Sequence, residues 1–357
     1  KNFSLNYHYI SINFCNKIWN AARYVLMNTE GEDCGVNDEA VELSLADRWI
    51  ISQLQRTEAE VTRQLDQFRF DLASNALYEF IWNQYCDWYL EMTKPLLTVD
   101  DAPAARLAGA KRTLAETLGA ALKLLHPIMP FLTEELWLEL CRRTGQQSDS
   151  IMLEAMPKAD AFEPDAEADE DVAWLKAFVF GVRQIRGEMN INPGKRFPAL
   201  LANVSETDLA RLKNHRDLIM ALARLSNIEI ASDPDAINGA ATALVGQLRI
   251  LVPLAGLIDL DAEIARLKKQ QDQTHADSVK SEAKLANSQF VDNAPPEIVA
   301  KERDRAGELQ LTLDQLSSQI ARLEDHVEFF RGPVEQRGET CPDALTAADF
   351  VERQARD

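Results

Sequence analysis

The chain has 357 residues, with 38 Lys and Arg against 57 Asp and Glu, for a formal charge of −19. So acidic a chain is not a bulk polyanion binder, while 46% hydrophobic and 27% charged residues exclude wholesale disorder and leave apolar material for two or three compact units. No stretch approaches the roughly 18 to 20 apolar residues of a membrane span, because 243–258 is interrupted by Gln247, Arg249 and Pro253. The first ten residues lack a basic region and a small-residue cleavage site. Five cysteines (Cys15, Cys34, Cys86, Cys141 and Cys341), an odd number widely spaced, suit a reducing compartment. The expectation is a soluble, cytoplasmic chain with no membrane contact and no metal, since neither the cysteines nor the scattered histidines form a ligand cluster.

Residues 14–144 show long, aromatic-rich helical periodicity with polar breaks at 31–38, 94–103 and 126–130, which reads as a helix bundle. Pro95, Pro127 and Pro130 act as stop signals, and Thr133 is placed to cap a helix whose first turn holds Glu134 and Glu135. The run 160–171 carries seven acidic residues and no basic one, and reads as an exposed linker or the solvated start of a helix. Beyond it, a helix over 172–189, short strands at 197–204, 227–231 and 248–252, and a helix over 206–224 predict a small mixed α/β unit. From Leu257 a heptad rhythm begins, with polar Gln271, Thr274 and Ser278 in its seam. It resumes after Pro295 and Pro296 through Val299, Leu309, Leu316, Ile320 and Leu323. The two stretches should fold back as an antiparallel coiled-coil hairpin. The predicted fold class is mainly α: a helical bundle over 1–150, a small α/β domain over 151–256, the coiled-coil hairpin over 257–328 and a tail over 329–357.

Catalytic signatures are missing: no phosphate loop, no G-x-G-x-x-G, no H-E-x-x-H and no G-x-S-x-G occurs. The informative segment is 14–25. At 100° per residue Phe14, Ile18, Ala21, Ala22 and Val25 share one side, while Asn16, Lys17, Asn20, Arg23 and Tyr24 share an arc of roughly 120° on the other. Cations, amides and one aromatic ring suit phosphates, base edges and an unpaired base. From pattern alone an ordinary solvated face remains the default. Tyr78, Trp82, Tyr85 and Tyr89 read as bundle packing. Arg183, Arg186, Lys195 and Arg196 surround the segment 189–195, and either a phosphate contact or a solvated helix end with a Pro-Gly turn fits them. His126 before Pro127 reads as a helix terminator.

Four segments carry a family resemblance: 14–24, 126–137, 185–195 and 290–295 leading to Lys301-Glu302-Arg303. With them the chain resembles the C-terminal half of bacterial valyl-tRNA synthetases, class I aminoacyl-tRNA synthetases, over about 13–323. The resemblance implies an anticodon-binding bundle, with Lys17, Arg23 and Tyr24 at positions where the family contacts the anticodon. It also implies a hairpin arm on the outer corner of the tRNA, with Lys268, Lys269, Lys280, Lys284, Arg303 and Arg305 as candidate contacts. The implied partner is tRNA(Val), for a monomer that supplies binding and register. Catalysis would fall to a domain, or a separate chain, that uses ATP and Mg; no cofactor is expected in the residues at hand. Residues 1–12 and 329–357 do not follow the family pattern. The alternative function is a protein-interaction module whose hairpin docks a partner, with a vestigial tRNA face; the charge of −19 supports it.

Overall fold

The computed structural model describes residues 2–29, 41–99, 101–157, 164–231, 240–254, 257, 260–293 and 295–331. The expected break at 31–38, Cys34, Cys341 and most of the tail lie outside the described residues. Two compact units divide the chain: residues 1–176 with 215–222, and residues 177–214 with 223–357.

The first unit contains α1 (Asn2–Asn28), α2 (Leu45–Asp66), α3 (Phe70–Glu79), a π-helical segment Phe80–Tyr89, α4 (Leu90–Leu97), α5 (Ala104–Leu125), α6 (Pro130–Thr144) and a short 3₁₀ turn Ile151–Leu153. α2 starts at a capping box. Ser44 Oγ accepts from the Asp47 amide at 3.3 Å, and the Asp47 carboxylate accepts from the Ser44 amide at 2.9 Å. The same carboxylate accepts the Tyr89 hydroxyl at 2.8 Å, so the cap also fastens α2 to the π-helical segment. Burial pushes the Asp47 carboxyl upward in pKa, against the hydrogen bonds from Ser44 and Tyr89.

The π-helical segment redistributes the aromatics. Its closure is i to i−5, as in the Leu90 amide bonding the Tyr85 carbonyl, so residues five and four apart line up. Phe80, Tyr85 and Tyr89 form a buried column with ring centroids 6.4 and 5.7 Å apart. The expected stripe of Tyr78, Trp82, Tyr85 and Tyr89 is therefore split. Tyr78 and Trp82 are half-buried and stack on each other at 5.5 Å and on Phe14 of α1. One stop signal and the expected cap also differ from expectation. Pro95 sits inside α4, and Thr133 lies within α6, where its hydroxyl donates back to the Met129 carbonyl at 2.9 Å and meets His126 Nδ1 at 2.7 Å.

The acidic run is not simply solvated. Its last part begins α7 (Ala166–Glu188), and Asp169 accepts from Gln53 at 2.5 Å, from Ser52 at 3.3 Å and from Arg56, all on α2. Lys176 follows two turns later, its Nζ 4.1 Å from the Trp49 ring and 5.2 Å from that of Trp88. Burial lowers its pKa to about 8.

The second unit holds the rest of α7, β1 (Phe197–Ala202), the first half of α8 (Glu206–Ala223), β2 (Leu225–Ile230), β3 (Ala240–Val245), β4 (Leu248–Pro253), α9 (Leu260–Ala286), α10 (Ser288–Asn293) and α11 (Pro296–Arg331). The sheet order is β2-β1-β4-β3; β1 and β2 are parallel across α8, and the other pairs are antiparallel. α8 is interrupted at His215, whose backbone leaves the helical region. β3 was not anticipated: an Ala- and Thr-rich stretch has a weak strand signal, and the turn at Gly246, with φ of +60°, makes the hairpin with β4. α7 lies close on the sheet at Gly181, where a Cβ would come within 3.1 Å of that of Ala243. The hairpin forms as expected. Leu267, Val299, Leu316 and Ile320 are buried, and the polar seam is bridged by Gln271 to Ser317 at 2.8 Å and Ser281 to Glu302 at 2.8 Å.

Two stability outcomes follow from packing in the first unit. A Cβ on Gly109 of α5 would lie 2.4 Å from the Glu42 carbonyl oxygen, so Gly109→Ala should cost about 1 to 3 kcal/mol in urea unfolding. Glu58 is buried on α2, and burial raises its pKa to about 7. The folded state then holds a proton that the unfolded state releases near 4.5, so the native state loses stability as pH rises from about 4.5 through 7. Glu58→Gln should melt above the wild type at pH 8 and close to it at pH 5.

Candidate nucleic-acid interface

Helix α1 divides as its residue pattern requires. Phe14, Ile18, Ala21, Ala22 and Val25 are buried against the π-helical segment, α5 and α6. Asn16, Asn20 and Arg23 are exposed, and among the described residues their side chains have no hydrogen-bond or ion-pair partner. At 100° per residue these three and Trp19 fall within about 100° of arc. Trp19 is 48% exposed at the edge of this face, a position the pattern reading left unassigned. Its residue type pointed inward; only the folded bundle shows that about half of its surface stays exposed.

Lys17 and Tyr24 lie further round, toward the π-helical segment and α4, and both are half-buried and engaged. The Lys17 ammonium pairs with Asp87 and sits 4.3 Å from the Trp82 ring centroid. The Tyr24 hydroxyl meets Thr93 Oγ1 at 3.0 Å, and burial raises its pKa above the usual phenol value. The arc read as uniform thus has an open centre and an occupied flank.

The basic cluster after α7 does not converge on an outward anion site. Arg186 donates to the carbonyls of Asn192 at 3.0 Å and Lys195 at 2.8 Å, reaches those of Ala223 and Arg224 at 3.4 and 3.5 Å, and lies 4.5 Å over the Phe197 ring. Burial, then the neighbouring Arg224, lowers its pKa. Lys195 Nζ donates to the Leu257 carbonyl at 2.8 Å, Arg196 reaches that of Leu225 at 3.5 Å, and Arg224 donates to that of Pro193 at 2.9 Å. Arg183 is exposed on α7. Arg186 is therefore a structural tie: its donors are spent on backbone carbonyls, and turning it to a phosphate would give up those hydrogen bonds.

On the arm, Lys268 pairs with Glu324 at 2.7 Å, Lys280 with Asp277 at 3.0 Å and Lys284 with Glu302 at 3.6 Å. Hydrogen bonds from Lys280 and Gln273 lower the Asp277 pKa, and one from Ser281 lowers that of Glu302, with Arg305 adding a smaller electrostatic pull on both. Lys269 and Arg303 are exposed and have no ion-pair partner among the described residues.

No group of three or more His, Cys, Asp or Glu is gathered for a metal among the described residues. A cavity of about 270 Å³ between α5 and α6 is lined by Trp137, Lys123 and Gly119 among others, without His, Cys or Ser. No helix is long and apolar enough to cross a membrane among the described residues.

A family model described as the anticodon-binding domain of tRNA ligase matches residues 47–201, from within α2 to β1. The helical bundle is thus of the aminoacyl-tRNA synthetase class, and tRNA is its partner. A second model, described as the valyl tRNA synthetase tRNA binding arm, matches residues 259–324, the span of the α9–α11 hairpin. With both modules in this order, the matches support a tRNA-binding, C-terminal part of a valyl-tRNA ligase. α1 precedes the first match but packs on the matched helices.

Replacing Arg186 by alanine should lower stability by about 1 to 3 kcal/mol, because it removes the hydrogen bonds that tie the loop to the end of α8. Differential scanning calorimetry of Arg186→Ala beside Lys269→Ala checks this, the second melting close to the wild type.

Proposed function

We propose that this chain holds tRNA(Val) in register for a catalytic domain that joins valine to it using ATP and Mg. In this reading the anticodon loop lies along the outer side of α1. Arg23 neutralises a phosphate and Asn16 and Asn20 address base edges, with Lys17 and Tyr24 bordering the groove. Lys269 and Arg303 are the favoured phosphate contacts of the arm, since the other candidate cations already face carboxylates. The protein acts as a monomer in the cytoplasm. The observation that carries the reading is a set of three open polar side chains on a helix packed against the matched bundle.

The charge of −19 opposes this only at range. Screening confines the acidic field to about 8 to 10 Å, so a local cation with no protein partner still meets a phosphate, while non-specific adhesion to nucleic acid is weakened.

Fluorescence anisotropy with labelled tRNA(Val), titrated over a range of salt, tests the proposal. Arg23→Ala should weaken binding about three- to tenfold and lower the salt slope by about one, whereas Arg142→Ala, ion-paired to Glu139, should do neither. Equal affinity for unrelated tRNAs, or no binding at low salt, would sink it and favour a hairpin that docks a protein.

A further inference from the structure

We infer that Trp19 is the stacking platform for an unpaired base of the bound loop, a role that rests on the tRNA reading above. The aromatic expected to stack there, Tyr24, is a poor candidate in the folded chain. It is half-buried and its hydroxyl is held by Thr93, so presenting its ring would break that contact. Trp82 is no better placed, being stacked on Tyr78 and covered by Lys17.

Trp19 differs from both. It is 48% exposed, and among the described residues it has no ring, hydrogen-bond or cation partner. It does not anchor the bundle either, since Ile18, Ala21 and Ala22 fill the core side, at 2%, 5% and 0% exposure. Helical spacing puts Asn16 three residues before it and Arg23 four after, so both border the indole on the same side. A large flat ring between an open guanidinium and an open amide combines what a nucleotide needs: a face for the base, a cation for the phosphate and a donor–acceptor pair for the base edge. A protein-docking helix would present a continuous apolar stripe. Here the exposed Ile12, Trp19 and Met27 alternate with Asn16, Asn20 and Arg23, whose desolvation a protein partner would have to offset group by group.

The test compares the full chain with Trp19→Ala, Trp19→Phe and Arg23→Ala in tRNA(Val) titrations over salt, alongside melting curves. Stacking carries no charge, so Trp19→Ala should weaken binding about five- to hundredfold with the salt slope unchanged. Trp19→Phe should restore most of the affinity, and neither variant should shift the melting temperature. If Arg23→Ala weakens binding and Trp19→Ala does not, the stacking role falls while the tRNA reading stands. If neither variant changes binding and unrelated tRNAs bind equally, the tRNA reading itself falls. Trp19→Ala chains that melt early would make Trp19 a packing residue. A wild type that self-associates in sedimentation, with Trp19→Ala monomeric and unchanged in tRNA affinity, would make the face a protein-docking surface. Either result overturns the inference.

Discussion

The arrangement of the first unit depends on the burial of one stripe of α1. Ile18, Ala22 and Val25 are at 2%, 0% and 0% exposure, and that side carries no polar atom that could compete for water. A helix so fixed cannot rotate without exposing the stripe, at roughly 25 cal/mol per Å² of apolar area. Its opposite side is thereby held outward, and Asn16, Asn20 and Arg23 remain available because the core leaves them no partner. The contact face is a consequence of packing, not an independent feature.

The π-helical segment is the second constraint. By turning Tyr85 and Tyr89 into the core, it supplies the hydroxyl that meets Asp47 and so links the start of α2 to the middle of the long helical stretch from α3 to α4. The same change of pitch leaves Trp82 at the margin, where Lys17 covers it. Backbone geometry thus sorts the cations of α1. Lys17 is engaged by Trp82 and Asp87 and Arg23 is not, although both were equivalent members of one arc.

In the second unit the cations divide by the same logic. Arg186 sits between the loop 189–196 and the end of α8, and its planar fork donates to several of their carbonyls at once. Along the hairpin, a seam containing Ser281, Gln271 and Ser317 contributes less burial than leucines would. Specific polar pairs instead fix which residues face each other, and hence which lysines point outward.

The bundle, the hairpin and the inner stripe of α1 were legible in the sequence, because helical periodicity and the Pro295-Pro296 break are local signals. Strand β3 was not, since Ala240 to Val245 has little intrinsic strand preference and forms by pairing with β4. Nor were the fates of individual polar side chains. The sequence by itself determined which residues are cationic, aromatic or amide, and on which side of α1 each must lie, because that follows from chemistry and a 100° step. Only the tertiary structure decided that Lys17, Tyr24 and Arg186 are occupied while Arg23 and Trp19 stand open, because each partner, whether Asp87, Thr93 or the carbonyl of Ala223, lies many residues away and is brought near only by folding.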